Sequence, residues 1–512
     1  MPPGAVSPII GAMLLIHPPV AKPSEPPAGI ALLAGALLAN GVPCRLLDAN
    51  LEGLLWLMEQ PEPGEETWTR RAVKNRARHL SALRDPSTYS SPDRYVRAVS
   101  DLNRLLSVSG RGSGATVGLA DYQQEHFSPV SSAELLRAAE EPERNPFYGY
   151  FSRRLPEVVD GIGFVGISLN YLSQAVSAFA LMGFIRRRFP SLKIVLGGGL
   201  VTSWLRRPGW QNPFGGLVDH MIAGPGEGPL LDLAGVPPGN RASGAPTYDL
   251  LPLPDYFSPG LVLPYSAAGG CWWNRCSFCP ERAEGNAYRP RPTSGALEDL
   301  RGLTAKYGPS LIHILDNAIS PTLLNALAET PPGAPWYGFA RIGDNLDDPD
   351  FCRALKSSGC VMLKLGLESG DQGVLDRLHK GIDLAMAERV LENLRHAGIA
   401  VYGYLLFGTP AESEEDARRT LEFVVRHREA ITFLNLAIFN MPAFSDEAAG
   451  METESFYEGD LSLYTSFRHP GGWGRREVRR FLDREFTRHP AVAPILRRDP
   501  LIFTSNHAPF FC

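Results

Sequence analysis

Ala267-Ala268-Gly269-Gly270-Cys271-Trp272-Trp273-Asn274-Arg275-Cys276-Ser277-Phe278-Cys279-Pro280 carries three of the chain's seven cysteines within nine residues, behind two glycines. Cysteine thiolates are the usual protein ligands of iron–sulfur clusters, and a glycine-led loop of this length wraps one cluster. Three protein ligands leave the fourth iron of a [4Fe–4S] cube open to another molecule. The spacing, four residues and then two, is also that of plant-type [2Fe–2S] ferredoxins. A ferredoxin centre needs a fourth cysteine close by, and the next is Cys352, 73 residues on and inside a different predicted element.

Outward from the loop toward the C-terminus, apolar strands alternate with helices at the pace of a β/α barrel or part of one. A first strand at 261–263 leads into the loop, and five more follow at 311–317, 336–341, 362–370, 401–410 and 433–439. Most end in a polar residue or glycine. Strand ends line the active sites of such barrels, so Asp316, Arg341 and Glu368 are expected to converge at one mouth. The structural alternative is a buried ion pair between Arg341 and Glu368. Tyr404, on the fifth strand, joins the three cysteines as a catalytic candidate. Asp376, Arg377 and Lys380 read as surface charges. Cys352 and Cys360 flank a predicted helix at 351–358, and with Cys44 they read as buried small residues.

Toward the N-terminus, Ala12-Met13-Leu14-Leu15-Ile16 is an apolar run stopped by His17-Pro18-Pro19, the pattern of a buried parallel strand ended by proline. A helix over 29–40 closes at Asn40-Gly41 and a strand covers 44–49, so the chain opens as a βαβ unit. The rhythm resumes with a strand at 161–168 and an amphipathic helix bearing Val176, Phe179, Ala180 and Gly183 on one face. Strands at 193–196 and 221–223 end in Gly197-Gly198-Gly199 and Gly224-Pro225-Gly226-Glu227-Gly228. Glycine-rich turns along one edge of a parallel sheet make a ligand crevice, since backbone approaches closely there. A nicotinamide site would place Gly-x-Gly-x-x-Gly directly after the first strand, where this chain has His17-Pro18-Pro19, and there is no P-loop motif. Between these pieces, about 57–158 reads as an inserted, mostly helical segment. Its Arg70, Lys74 and Arg78 are four apart, which suits a solvated helix face before a patch for nucleic acid or an acidic partner.

The 512 residues predict about three domains. Hydrophobic content of 44% and charged content of 21% are those of a soluble globular protein. A net charge of −5 gives no global pull toward nucleic acid or an anionic membrane. No apolar run reaches the length of a membrane span. The opening Met1-Pro2-Pro3-Gly4-Ala5-Val6 lacks the basic start of a signal peptide. Cysteines that are odd in number and bunched argue against a secreted disulfide framework and for a metal site in a reducing compartment, so the expected location is cytoplasmic.

In their order, these pieces resemble the radical S-adenosylmethionine (SAM) enzymes that carry a B12 (cobalamin)-binding domain. The likeness rests on Ile16-His17-Pro18-Pro19, Leu47-Asp48-Ala49-Asn50, Val165-Gly166-Ile167-Ser168, Val195-Leu196-Gly197-Gly198-Gly199, Gly224-Pro225-Gly226-Glu227-Gly228, the segment Leu250-Leu251-Pro252-Leu253-Pro254-Asp255-Tyr256 and the cysteine loop. It covers roughly residues 10–50 and 160–440. The loop is one residue longer than the commonest Cys-x3-Cys-x2-Cys, a variant that occurs in the B12-linked branch. The histidine motif by which some cobalamin proteins ligate cobalt is missing, and His17 reads as structural.

The resemblance implies an α/β fold with an N-terminal Rossmann-like cobalamin-binding domain (1–235, including the insertion), a linker (236–262), a partial β/α-barrel radical SAM domain (263–440) and a small C-terminal cap (441–512). It implies that Cys271, Cys276 and Cys279 hold a [4Fe–4S] cluster whose open iron binds SAM, with Phe278, Asp316, Arg341 and Glu368 as further SAM contacts. It sets cobalamin against Pro18, Ser168, Tyr171, Gln174, Gly197, Gly198, Gly199, Gly226 and Glu227. The implied activity is methyl transfer from cobalamin to an unactivated carbon by way of a 5′-deoxyadenosyl radical. The substrate would be a small molecule or peptide, an external donor such as flavodoxin or ferredoxin would supply electrons, and no nucleic acid is expected. Radical SAM rearrangement, cyclisation or oxidation without methyl transfer is an alternative, and a non-catalytic cobalamin/Fe–S sensor is a third reading. Cys512, after Asn506-His507-Ala508-Pro509, either reaches the active site or is incidental.

Overall fold

The structure, a computed structural model, describes residues 11–61, 66–500, 503 and 505–512. The hexapeptide read for targeting and Thr504 lie outside the described residues. The chain divides into two compact units, Met1–Pro259 with Glu458–Leu461 and Gly260–Tyr457 with Ser462–Cys512.

The first unit is built on five parallel strands: β1 (Ala12–His17), β2 (Cys44–Asp48), β3 (Ile162–Ser168), β4 (Lys193–Gly197) and β5 (His220–Met221). Their order is β2-β1-β3-β4-β5. Strand β1 is buried from Met13 to His17, which is why it reads as a continuous apolar run rather than an alternating one. The chain leaves β1 toward β2 and later returns to β1's other side as β3. That reversal is a topological switch point, where the carboxyl ends of the strands open a crevice. The expected strand at 221–223 is shorter than read: Ile222 N still reaches Leu196 O at 2.9 Å, but the backbone turns at Gly224, with φ +73°. The segment after the sheet stays with this unit, Thr247 N bonding Ala31 O at 3.1 Å and the Tyr256 hydroxyl donating to Asp48 Oδ2 at 2.7 Å.

The helix Leu172–Arg188 departs from the amphipathic expectation, being buried at every residue from Gln174 to Ile185. The inserted segment is the cause, since its helix Ser132–Glu140 packs on the face that local periodicity assigns to solvent. The two backbones come so close that a Cβ on Gly183 would lie 2.6 Å from Ala139 Cα. Gly183→Ala is therefore expected to cost roughly 2 kcal/mol or more by forcing the helices apart, seen as a lower first melting transition. An unchanged transition would refute the close approach. The insertion is mostly helical, as expected, with an unforeseen hairpin of Ala115–Val117 and Tyr122–Gln124. Its helices Thr67–Leu83 and Pro92–Gly110 are joined through buried Asp101, which accepts from Trp68 Nε1 (2.8 Å) and Arg71 (2.7 Å) beside His79 (3.1 Å). Arg70, Lys74 and Arg78 are exposed on the helix Thr67–Leu83.

In the second unit six parallel strands lie in sequence order: β6 (Val262–Tyr265), β7 (Leu311–Ile314), β8 (Trp336–Ala340), β9 (Cys360–Glu368), β10 (Ala400–Phe407) and β11 (Phe433–Ile438). Helices alternate with them, so this is a partial β/α barrel whose carboxyl ends share one edge. Cys352 lies inside a helix rather than before it. Asp348 caps that helix by accepting from Asp350 N at 2.8 Å, and Pro349 starts it two residues earlier than read. Cys360 opens β9, and both thiols are buried. Beyond β11, Met441–Pro442, Tyr464–Phe467 and Thr453–Ser455 form a small antiparallel sheet. Ala508, Phe511 and Cys512 pack with Val262, Leu311, Met362 and Phe433, near the amino ends of the strands. Cys512 is therefore at the opposite end of the sheet from the cysteine loop. Among the described residues no helix is long and apolar enough to cross a membrane.

Candidate functional site

The cysteine loop springs from the carboxyl end of β6. Its root is pinned by Asp316, just past β7, whose Oδ1 accepts from Ala267 N (2.7 Å) and Ala268 N (3.1 Å). Burial pushes the Asp316 carboxyl up to about 6, against the pull of those two N–H groups. Ala268–Gly269 pairs with Arg289–Pro290. Gly270 then turns with φ +72°, where a side chain would meet Ala287 O at 2.5 Å. Cys276 is 9% exposed. Burial raises the Cys279 thiol to about 11, against the pull of the Glu281 and Arg282 backbone N–H groups. The Cys276 thiol is raised by burial too, while the charges of Lys380 and Arg341 pull it down.

The turn 378–381 holds this loop with two consecutive carbonyls and Arg341 with a third. Leu378 O accepts from Ser277 N (3.1 Å), His379 O from Trp273 Nε1 (3.1 Å), and Lys380 O from Arg341 Nη2. Gly381, with φ +65°, lies under Trp273, where a Cβ would stand 2.6 Å from Cη2. Trp273 is held between Arg275 and Arg341, whose guanidinium carbons are 4.9 and 4.1 Å from its ring centre. A cavity of about 330 Å³ opens beside Trp272, Trp273 and Arg341.

Arg341 and Glu368 do not pair, as the structural alternative supposed. Glu368 binds Lys380 Nζ at 2.7 Å, and Lys380 is only 7% exposed, not a surface charge. The pair is built by a bulge at the end of β9: Glu368 takes φ +63°, and Gly366 leaves room where a Cβ would lie 2.5 Å from Lys380 Nζ. Lys380 Nζ is also 5.7 Å from the Phe278 ring centre. Phe278 packs with Phe439, Met441, Leu406 and Phe467. The Tyr404 ring centre lies 4.7 Å from that of Tyr402 and 5.0 Å from that of Phe339, and burial raises its hydroxyl. On the same face Lys364 Nζ lies 5.0 Å from the ring centres of Tyr337 and Phe339. Lys364 was missed in sequence because it lies inside β9, and Trp273 because only the cysteines of its loop were read as site residues; for Lys380, the Leu378-His379-Lys380-Gly381 turn was the available signal.

The loop after β10 holds a further buried acid. Glu412 Oε2 accepts from Gly408 N (2.5 Å) and Trp473 Nε1 (2.9 Å), while Oε1 finds no partner among the described residues. Burial, helped by Asp416 and Asp371, pushes this carboxyl from 4.5 up to about 7. Across that window the folded chain keeps a proton that the unfolded chain has released, so stability falls as pH rises and levels off above it. The gap corresponds to about 3 kcal/mol. Glu412→Gln is expected to flatten the decline in melting temperature between pH 5 and pH 8; an equal decline in the variant would refute the assignment.

In the first unit a cavity of about 200 Å³ lies at the carboxyl edge of the sheet, among Leu15, Gly29, Leu33, Gly166 and Ile222. Of the candidates, Ser168, Gly197, Gly198, Gly226 and Glu227 line it, while Pro18, Tyr171, Gln174 and Gly199 stand off its wall. Gln174 is consumed in fixing loops: it donates to Pro18 O (2.7 Å) and accepts from Asn170 N (3.0 Å) and Tyr171 N (3.1 Å). Tyr171 is 58% exposed. His17 is buried, and desolvation lowers its pKa despite Asp48 nearby.

The second unit carries a radical SAM domain: residues 265–424 match the Radical SAM superfamily. Among curated proteins, the chain is 26% identical over 188 residues to the uncharacterized methyltransferase PH0819 of Pyrococcus horikoshii, covering 35% of this chain and 40% of that protein. It is 29% identical over 178 residues to the bacteriochlorophyllide d C-12(1)-methyltransferase of Chlorobaculum tepidum, covering 33% and 38%. The matched part thus spans about two fifths of each relative. Among solved structures, the fold is similar to that of the radical S-adenosylmethionine methyltransferase TsrM from Kitasatospora setae, solved with cobalamin and a [4Fe–4S] cluster bound. The TM-score is 0.54 at 15% identity, over 88% of this chain and 81% of that one.

Proposed function

We propose that this protein is a radical SAM enzyme that uses cobalamin to methylate an unactivated carbon of a small molecule or peptide. The observation that carries the reading is the cysteine loop, rooted by Asp316 at the carboxyl edge of the six-stranded sheet and clasped by the 378–381 turn. Among the described residues no three His, Cys, Asp or Glu side chains gather as a single metal ion requires. A cube asks something different, one thiolate on each of three irons, and the donor set suits it: three cysteines, backbone N–H groups facing Cys279, and two cations near Cys276.

Cys271, Cys276 and Cys279 would hold the cluster, Phe278, Asp316 and Glu368 would meet SAM, and the glycine-lined cavity with Ser168 and Glu227 would take part of cobalamin. When bound, the cluster supplies one electron for SAM cleavage and cobalamin supplies a transferable methyl group. The chain's own work is to orient these groups and exclude water. Asp316 fixes where the loop begins, the Glu368–Lys380 pair keeps two charges at the strand edge mutually neutralised, and Tyr404 presents a protonated hydroxyl on the sheet face. The relatives named as methyltransferases support the transfer chemistry. An external one-electron donor and a cytoplasmic setting complete the proposal.

The test is anaerobic reconstitution with iron, sulfide and cobalamin, followed by SAM and dithionite. Formation of 5′-deoxyadenosine together with cobalamin absorbance that survives gel filtration is the expected result. Formation of 5′-deoxyadenosine without retained cobalamin would overturn methyl transfer by this route, and neither signal would overturn the whole reading.

A further inference from the structure

We infer that Arg341 is a positioning residue that sets the reduction potential of the cluster through Cys276, and that it is not the partner of the SAM carboxylate. The inference rests on the cluster assignment just proposed. A guanidinium has two flat faces and a fixed fork of N–H donors. Here one face lies on Trp273 at 4.1 Å, with Trp272 at 5.7 Å, and Nη2 is spent on Lys380 O. Trp273 lies in the loop between Cys271 and Cys276, so this stack holds the guanidinium charge against the cysteine loop, where it interacts with Cys276 and Cys271.

The support is rigid from behind. Trp273 is itself held by His379 O and by Arg275, and Gly381 fills the space beneath it. Bidentate capture of a carboxylate needs a free edge of the fork in the plane of the ligand, and here Nη2 already holds a carbonyl while the plane is fixed by the indole. Hydrogen bonds to cluster sulfurs and the net charge nearby are among the factors that set the potential of such centres. A positive charge held beside Cys276 favours the reduced, more negative state, so Arg341 raises the potential. Lys380 adds less, because Glu368 neutralises it at 2.7 Å.

Wild type, Arg341→Gln and Arg341→Lys are to be reconstituted anaerobically, with iron and sulfide counted. The reduced cluster is then followed by electron paramagnetic resonance through a redox titration, and SAM affinity is measured by equilibrium dialysis. Arg341→Gln is expected to keep its iron and to shift the reduced-to-oxidised ratio at fixed potential about tenfold toward oxidised, 59 mV for one electron, with SAM Kd within threefold of wild type. Arg341→Lys, which keeps charge but not the planar stack, should fall between. If the glutamine variant holds no iron, the lysine variant decides by the same titration. Clusters with unmoved potential overturn the inference, whether iron retention falls, as for a purely structural role, or SAM Kd weakens tenfold, as for a SAM contact. A wild-type chain that takes up no cluster overturns the parent assignment instead.

Discussion

Cys276→Ala is expected to leave the protein with background iron and no 5′-deoxyadenosine above the enzyme-free level, a loss on the order of a thousandfold or more given the size of enzymatic accelerations. Of the three loop sulfurs Cys276 is in the tightest surroundings, 9% exposed and facing the charge of Arg341. Alanine supplies no donor, and two remaining thiols cannot complete a three-point seat for a cube. The fold should survive, because the loop keeps its root on Asp316 and its Ser277–Leu378 bond. Cys352→Ala is the matched control: its thiol is buried in a helix, donating to Leu346 O at 3.3 Å. It should cost about 1 kcal/mol of stability and no iron. Full iron and undiminished SAM cleavage in Cys276→Ala would remove the basis of the proposed function.

Gly198→Ala is expected to cost roughly 3 kcal/mol in the first unit and to abolish retention of cobalamin through gel filtration. The residue has φ +109°, a region that a side chain makes costly. A Cβ there would overlap the Leu169 carbonyl oxygen and lie 2.7 Å from its carbon and 2.8 Å from its nitrogen. These are backbone atoms, and Leu169 N bonds Gly197 O at 2.8 Å, so relief means prising the ends of β3 and β4 apart. Gly209→Ala separates strain from collision: φ there is +68° with nothing within 4 Å of the added carbon. It should cost about 1 kcal/mol and leave the cavity unchanged. Equal effects from the two substitutions would mean that the Leu169 collision is harmless.

Both sheets were legible because parallel strands covered on two faces become apolar runs, and most runs here end in proline, glycine or a polar residue. The cysteine loop was legible because so few arrangements explain three thiols in nine residues. What escaped depends on contacts distant in sequence. The burial of Leu172–Arg188 comes from Ala139 and its helix, which no window around Gly183 contains. Lys380 looked like a surface charge because its partner is twelve residues back, on a glutamate brought round by a left-handed backbone turn. Arg341 was singled out correctly as a strand-end charge, but the Trp273 indole that engages it is 68 residues earlier in the sequence.

The three-carbonyl clasp bears on biosynthesis. Trp273 and His379 are 106 residues apart, and domains tend to assemble from the N-terminus as the chain emerges. A nascent chain that has exposed its cysteines but not yet residues 378–381 presents thiols with no backing. At about 5–20 residues per second that interval lasts several seconds. If the three thiols hold the cluster proposed above, a loop without that backing is a looser seat for it, and the clasp ties loading to completion of the partial barrel.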